Sequence, residues 1–330
     1  MNSLKESATE RIEYRRSRSW QRFKSIPHYL VELKGVRSYG DFKSWLQFKL
    51  PYISTLPSFP IKVTLELTNN CDLGCTYCHR SVMNRQLGAM DFDVLRKIAD
   101  EISQHPGVHL KIGGLGEPAL HKDFANIMVY LRDKNIKRTV YTNGLVLQRF
   151  DHEQVLEWRI PHLVLSIDGI DARSFESQRV GGNYEQVKAN LQAFYQRRKA
   201  SALGKNLLEI RQVIVPGETP ADLAGFRKTW LQTADTVMFN HVIPSGVAAS
   251  RDSRGRKCRD IRREMYIRWN GKVPLCGYQY LVTNQEWIAD IHHVSIQDAW
   301  HHFRLQEVRS LHQRGYDSMP EFCKVCAQTA

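Results

Sequence analysis

The chain has 330 residues, 42% of them hydrophobic, a formal net charge of +13 and seven cysteines. It is long enough to bury a substantial core, as two domains or one domain with an appendage. It has no apolar run approaching the roughly 18 residues of a membrane span, and no apolar segment follows Met1-Asn2-Ser3-Leu4-Lys5-Glu6; a soluble cytoplasmic protein is expected.

Residues 1–55 read as a basic helical extension that packs Trp20, Phe23, Tyr29 and Leu30 onto the following domain. Its interleaved cations and aromatics at 15–24 keep nucleic acid or anionic lipid in view as a partner, with solvated basic surface the simpler reading. This stretch and residues 251–272 carry nearly all of the excess positive charge. Pro51, Pro57 and Pro60 punctuate the entry to the next domain, taken as residues 56–245.

There, short β-branched runs alternate with amphipathic stretches. Strands are expected at 61–68, 108–113, 137–142, 162–167, 207–215 and 236–242, with helices at 91–104, 123–134, 151–158, 184–200 and 220–233. Asp91, Asp123 and Thr219-Pro220 supply helix starts. Regular strand-helix repetition predicts an α/β fold with a parallel sheet, whose ligand-binding residues gather at the C-terminal strand ends.

The strand ends carry the chemistry. The first leads into Cys71-Asp72-Leu73-Gly74-Cys75-Thr76-Tyr77-Cys78, a C-x3-C-x2-C loop whose soft thiolates suit three irons of a four-iron cluster and leave the fourth iron open. His79 adjoins the last cysteine and keeps a zinc tetrad as a rival, although C-x3-C is a poor zinc spacing. The second strand ends in Gly113-Gly114-Leu115-Gly116-Glu117-Pro118, where glycines allow backbone to approach a ligand and a buried carboxylate asks for a cation. The third and fourth end in Thr142-Asn143-Gly144 and Ser166-Ile167-Asp168-Gly169, polar caps suited to a ribose or a carboxylate, or simply to turns and helix caps.

After about residue 246 a basic loop precedes Cys258, Cys276, Cys323 and Cys326. The segment 264–275 reads as a β-hairpin with an Asn270-Gly271 turn that can bring Cys258 and Cys276 together. Four thiolates saturate a second four-iron cluster, with a structural zinc the main rival.

Taken together, the cysteine loop, the Gly-Glu-Pro segment and the polar strand ends resemble the radical S-adenosylmethionine (SAM) enzymes. The last four cysteines resemble a one-cluster SPASM or twitch auxiliary domain, here 246–330. The resemblance implies a partial (β/α)6 TIM-like barrel with an N-terminal helical extension. It implies two 4Fe-4S clusters, on Cys71, Cys75 and Cys78 and on Cys258, Cys276, Cys323 and Cys326, with SAM on the first. It also implies SAM contacts from Tyr77, Gly114, Gly116, Glu117, Asn143, Ser166, Asp168 and Arg179, the Gly-Glu-Pro residues holding the amino group. A flavodoxin- or ferredoxin-type electron donor would supply the reductant.

Three and four ligands exhaust the seven cysteines, leaving no spare thiol as hydrogen donor. That favours dehydrogenation of a hydroxyl-bearing small molecule such as a sugar, aminocyclitol or nucleoside, over epimerisation or crosslinking of a ribosomal peptide. A non-catalytic metal protein that binds nucleic acid is the reading from another class.

Overall fold

The computed structural model describes residues 56–241, 258–277 and 287–324. The expected N-terminal extension, the basic loop before Cys258 and Cys326 lie outside the described residues.

All six expected strands form: β1 Lys62–Leu65, β2 His109–Ile112, β3 Arg138–Thr142, β4 His162–Ser166, β5 Leu207–Ile214 and β6 Thr236–His241. They lie side by side, parallel and in sequence order, as the right-handed crossover of strand-helix units dictates. Helices at Phe92–Ser103, Phe124–Asp133, His152–Glu157, Tyr184–Ala200 and Pro220–Trp230 match the expected ones within a few residues.

Strand parity divides the sheet into two faces. Val63, Leu65, Leu110, Ile112, Val140, Leu163, Leu165, Leu208, Ile210 and Val237 are buried in the core. Helical stripes such as Leu95, Ile98, Ala99 and Ile102, spaced by three and four residues, join the same core. The opposite parity is polar: Lys62, Thr64 and Glu66 on β1 and its extension, His109 and Lys111 on β2, Thr139 and Tyr141 on β3, Glu209 and Arg211 on β5. In a closed barrel with a packed interior these positions are mostly branched apolar residues. Here the sheet stays open, with β6 at one edge.

The other edge departs from expectation. The turn at Asn270-Gly271 forms, Gly271 adopting φ +72°, but its two arms do not make one hairpin sheet. The first arm, β7 Glu264–Ile267, pairs parallel with β1 and becomes a seventh strand of the main sheet. The second, β8 Lys272–Pro274, pairs antiparallel with β9 Trp287–Asp290. Buried charge explains the docking: Glu264 accepts from Lys62 at 2.9 Å and from Thr64 at 2.5 Å, contacts a hairpin register would not offer.

Two smaller differences concern caps. Asp91 caps its helix through the Asp93 amide and Thr219 forms a capping box with Asp222. Asp123 makes no side-chain cap bond; its own amide donates instead to His121 Nδ1 at 3.1 Å. A helix not foreseen, Ala172–Gln178, starts from a capping box of Asp171 and Ser174.

Candidate active site

The loop after β1 is held from three sides. Its residues Gly74–Cys75 pair antiparallel with Arg179–Val180. Asn143 Nδ2 donates to Asp72 at 2.8 Å, and Arg149 also pairs with Asp72. The Arg80 guanidinium donates to the Leu73 carbonyl at 3.1 Å. The three cysteines thus stand on a braced loop at the C-terminal edge of the sheet.

Cys71, Cys75 and Cys78 are all partly exposed and none is in a disulfide. Their charges interact: burial raises the Cys71 thiol to about 11, with Glu117, Asp72 and Cys75 adding to the rise, and burial likewise raises Cys75, with Arg179 opposing and Cys78 adding to it. Thiols so placed become thiolates only when a metal displaces their protons. Among the described residues no three His, Cys, Asp or Glu converge closely enough to grip a single metal ion, whereas a cubane spreads its irons and so its ligands. The residues present fit an open three-thiolate cluster. The Arg80 amide lies 3.5 Å from Cys78 Sγ and Arg179 Nη1 lies 3.9 Å from Cys75 Sγ, donors of the kind that tune cluster potentials.

At the end of β2, Glu117 is almost fully buried and accepts three hydrogen bonds, from Ala119 N at 3.0 Å, Thr142 Oγ1 at 2.7 Å and Asn143 N at 2.6 Å. Among the described residues it has no ion pair. Burial outweighs these bonds and raises its pKa to about 6. Gly116 lets this turn lie against the cysteine loop: a Cβ there would stand 2.3 Å from the Thr68 carbonyl oxygen and 2.6 Å from that of Asn70. At Gly114 a Cβ would press on the Glu66 side chain at 2.9 Å.

Asp168, Tyr77 and Arg179 form one buried knot. Asp168 is fully buried, accepts from Val213 N at 2.8 Å and from the Tyr77 hydroxyl, and lies 2.7 Å from Arg179 Nε. That last contact is ionic, since the Nε proton is off line for a hydrogen bond. Arg179 Nη2 donates to the Tyr77 hydroxyl at 2.9 Å. Burial disfavours the Arg179 charge, but Asp168 and the neighbouring groups hold its pKa above the ordinary arginine value. Both Asp168 oxygens are therefore occupied by protein, and this residue and Arg179 brace the cysteine loop. Ser166 is only partly buried, on the same sheet face, and its hydroxyl has no partner among the described residues.

One cluster went unforeseen. Glu66, nearly fully buried, pairs with the two terminal guanidinium nitrogens of Arg85 at 2.8 and 2.9 Å and with Arg268 at 3.6 Å. Arg268 also donates to the Gly277 carbonyl, next to Cys276. This triad joins the end of β1 to the segment that carries Cys276. Cys258 is buried and raised to about 12 by burial, with Asp260 and then Cys276 adding to the rise. The Cys258 amide donates to His312 Nδ1 at 3.4 Å.

A sequence profile of the radical SAM superfamily matches residues 65–229, half of the chain. The chain belongs to the radical SAM superfamily. A second profile, for the SPASM iron-sulfur cluster-binding domain, matches 258–327 and takes in Cys258, Cys276, Cys323 and Cys326. As a radical SAM protein with an auxiliary domain, the chain uses a 4Fe-4S cluster, SAM and an auxiliary iron-sulfur cluster. The probable GTP 3',8-cyclase of Methanococcus maripaludis is 30% identical over 130 residues, which cover 39% of this chain and 43% of that protein. The cofactor-modifying protein for a tungsten-containing aldehyde ferredoxin oxidoreductase of Pyrococcus furiosus is 28% identical over 105 residues, 32% of this chain and 30% of that one. The match thus spans less than half the length of these curated relatives. Among solved structures, SuiB of Streptococcus suis with SAM superposes with a TM-score of 0.58 at 16% identity, covering 78% of this chain and 69% of that one. BtrN with AdoMet and 2-DOIA gives 0.52 at 17% identity, covering 81% and 92%. At these identities the likeness is one of fold. Among the described residues no helix is long and apolar enough to cross a membrane.

Proposed function

We propose that this radical SAM protein is an oxidoreductase that dehydrogenates a hydroxyl-bearing small molecule such as a sugar, aminocyclitol or nucleoside. The observation that carries the reading is the complete use of cysteine: three thiols on the loop after β1 and four under the SPASM match leave none of the seven as a hydrogen donor. Bound SAM and its cluster supply a 5'-deoxyadenosyl radical. The net change is loss of a hydrogen atom from a carbinol carbon to that radical, of a proton from its hydroxyl and of one electron, which the auxiliary cluster would accept, giving a carbonyl.

The chain's own groups take defined parts. Cys71, Cys75 and Cys78 hold the SAM cluster, and the other four thiolates hold the auxiliary cluster. Glu117 accepts hydrogen bonds from the SAM amino group. Gly114 and Gly116 open the backbone beside it, while Asn143 and the free Ser166 hydroxyl line the cofactor. Tyr77, Asp168 and Arg179 keep the loop in place. The domain limits are taken as 1–55, 56–245 and 246–330, with a flavodoxin- or ferredoxin-type protein as electron donor.

Glu117 gives a pH dependence with a definite sign. Its raised pKa means that below about 6 the free protein holds a proton there, which must leave before the carboxylate can accept from the SAM amino group. SAM affinity is therefore expected to fall by up to about tenfold per pH unit below 6. Calorimetric titration of the reconstituted protein checks it, and Glu117→Ala is expected to bind SAM weakly with that dependence gone.

Modification of a peptide is the second reading, since SuiB has been solved with its precursor peptide SuiA and anSMEcpe with a Kp18Cys peptide. Anaerobic turnover with SAM and a reductant separates the two. A small-molecule product lighter by two hydrogens, formed one-for-one with 5'-deoxyadenosine, supports dehydrogenation. A modified peptide, or a product isomeric with its substrate, contradicts it.

A further inference from the structure

The polar face of the sheet carries a cation that nothing in the cofactor reading uses. Lys111 sits on β2 two residues before Gly113, and Tyr141 on β3 two residues before Asn143. Both lie about 7 Å along their strands from the SAM-facing ends, on the same face. The Lys111 ammonium stands 4.7 Å from the centroid of the Tyr141 ring and, among the described residues, has no hydrogen-bond or ion-pair partner; the carboxylate whose charge reaches it is Glu264. The Arg211 guanidinium approaches the same ring at 5.1 Å and donates to the Tyr141 hydroxyl at 3.2 Å.

The nearby carboxylates are already taken. Glu209 accepts from Arg211 Nε at 2.7 Å and lies 3.1 Å from His162 Nε2; Glu264 is paired with Lys62 at 2.9 Å. One ammonium is thus left over, facing a second cation across an aromatic ring. Contact with a ring recovers only part of the hydration an ammonium loses on burial. Two cations gathered on one face are stable when an anion joins them. Lys111, Tyr141 and Arg211 are each half-buried, so they remain open to a ligand.

We propose that Lys111, Arg211 and Tyr141 form an anion-recognition site for a carboxylate or phosphate group of the substrate. The inference rests on the dehydrogenase reading for the identity of that substrate and narrows it to hydroxyl-bearing molecules that also carry an anion. Lys111 and Arg211 clamp the anion, and the Tyr141 hydroxyl, which accepts from Arg211, keeps its own proton to donate. Held this deep, the anionic end leaves the remainder of the molecule directed towards the strand ends where the cofactor binds.

The test is calorimetric titration of the full-length, anaerobically reconstituted protein with inorganic phosphate and with acetate, in buffers matched in ionic strength by chloride. Lys111→Met is compared with wild type and with Lys188→Met, which removes the same charge from over another tyrosine ring, that of Tyr184, on the helix Tyr184–Ala200. Wild type and Lys188→Met are expected to bind at least one anion equally, and Lys111→Met about tenfold more weakly. Tighter phosphate points to a phosphorylated substrate and tighter acetate to a carboxylate. Thermal unfolding distinguishes a packing role. Removing an uncompensated ammonium is expected to leave the melting temperature unchanged or higher. Failure of both anions to bind wild type, equal binding by Lys111→Met, or a lowered melting temperature with anion binding intact would each overturn the proposal. Formation of 5'-deoxyadenosine by the same wild-type preparation reports separately on the parent reading; its absence would strike the enzyme assignment and leave the titration result standing.

Discussion

Alanine at Cys75 is expected to reduce 5'-deoxyadenosine formation to background, while alanine at Cys276 is expected to leave SAM cleavage measurable and abolish product. Cys75 is the thiol with most at stake locally: it lies in the two-residue pairing with Arg179–Val180 and has the Arg179 guanidinium 3.9 Å from its sulfur. Two remaining thiolates cannot hold a cubane with a single open iron. Cys276 lies on the segment bearing Arg268 and Gly277, whose contacts with Glu66 reach the end of β1 without involving Cys71, Cys75 or Cys78. The two substitutions therefore separate cofactor cleavage from substrate oxidation. Chromatography of 5'-deoxyadenosine and product in parallel reads both. Equal loss of 5'-deoxyadenosine in the two variants would mean that the later cysteines support the first cluster and do not form a separate centre.

Asp168→Ala is expected to be the most destabilising single change at the site, by about 3–5 kcal/mol, because it strands a buried guanidinium. Asp168 and Arg179 are 0% and 3% exposed, so water does not replace the lost partner. The Val213 amide and the Tyr77 hydroxyl lose their acceptor in the same step. Converting Arg179 to Met in that background is expected to recover part of the loss, since the stranded charge is then gone. Urea unfolding of the cluster-free chains measures it. A single variant within about 1 kcal/mol of wild type would show that the pair is not what fastens the cysteine loop to β4 and β5.

What could be read from the sequence follows the range of the interactions. Strand and helix periodicity is local, and the six strands and five helices it indicates fall where expected. The cysteine spacing and the Gly-Glu-Pro turn are local too, and the parallel order of the strands brings them together. Longer-range pairings were not legible. Arg179 is separated from Asp168 by a helix, and nothing in either residue announces that they bury one another. The same holds for Glu66 with Arg85 and Arg268, where the third member comes from the far end of the chain. Glu264 marks the seventh strand only once Lys62 and Thr64 are seen beside it. Lys111 reads as an ordinary charged residue in a strand until the register shows it on the polar face beside Tyr141.

The central claim is that one trio of thiolates leaves an iron open to SAM while the other four enclose a second cluster. Its most direct test is metal and acid-labile sulfide analysis of anaerobically reconstituted full-length protein, with electron paramagnetic resonance of the reduced sample before and after SAM. Roughly eight irons and eight sulfides per chain are expected, with negligible zinc and two signals, of which SAM perturbs only the one lost in Cys75→Ala. Stoichiometric zinc with about half that iron, or a SAM-sensitive signal that survives Cys75→Ala, would contradict it.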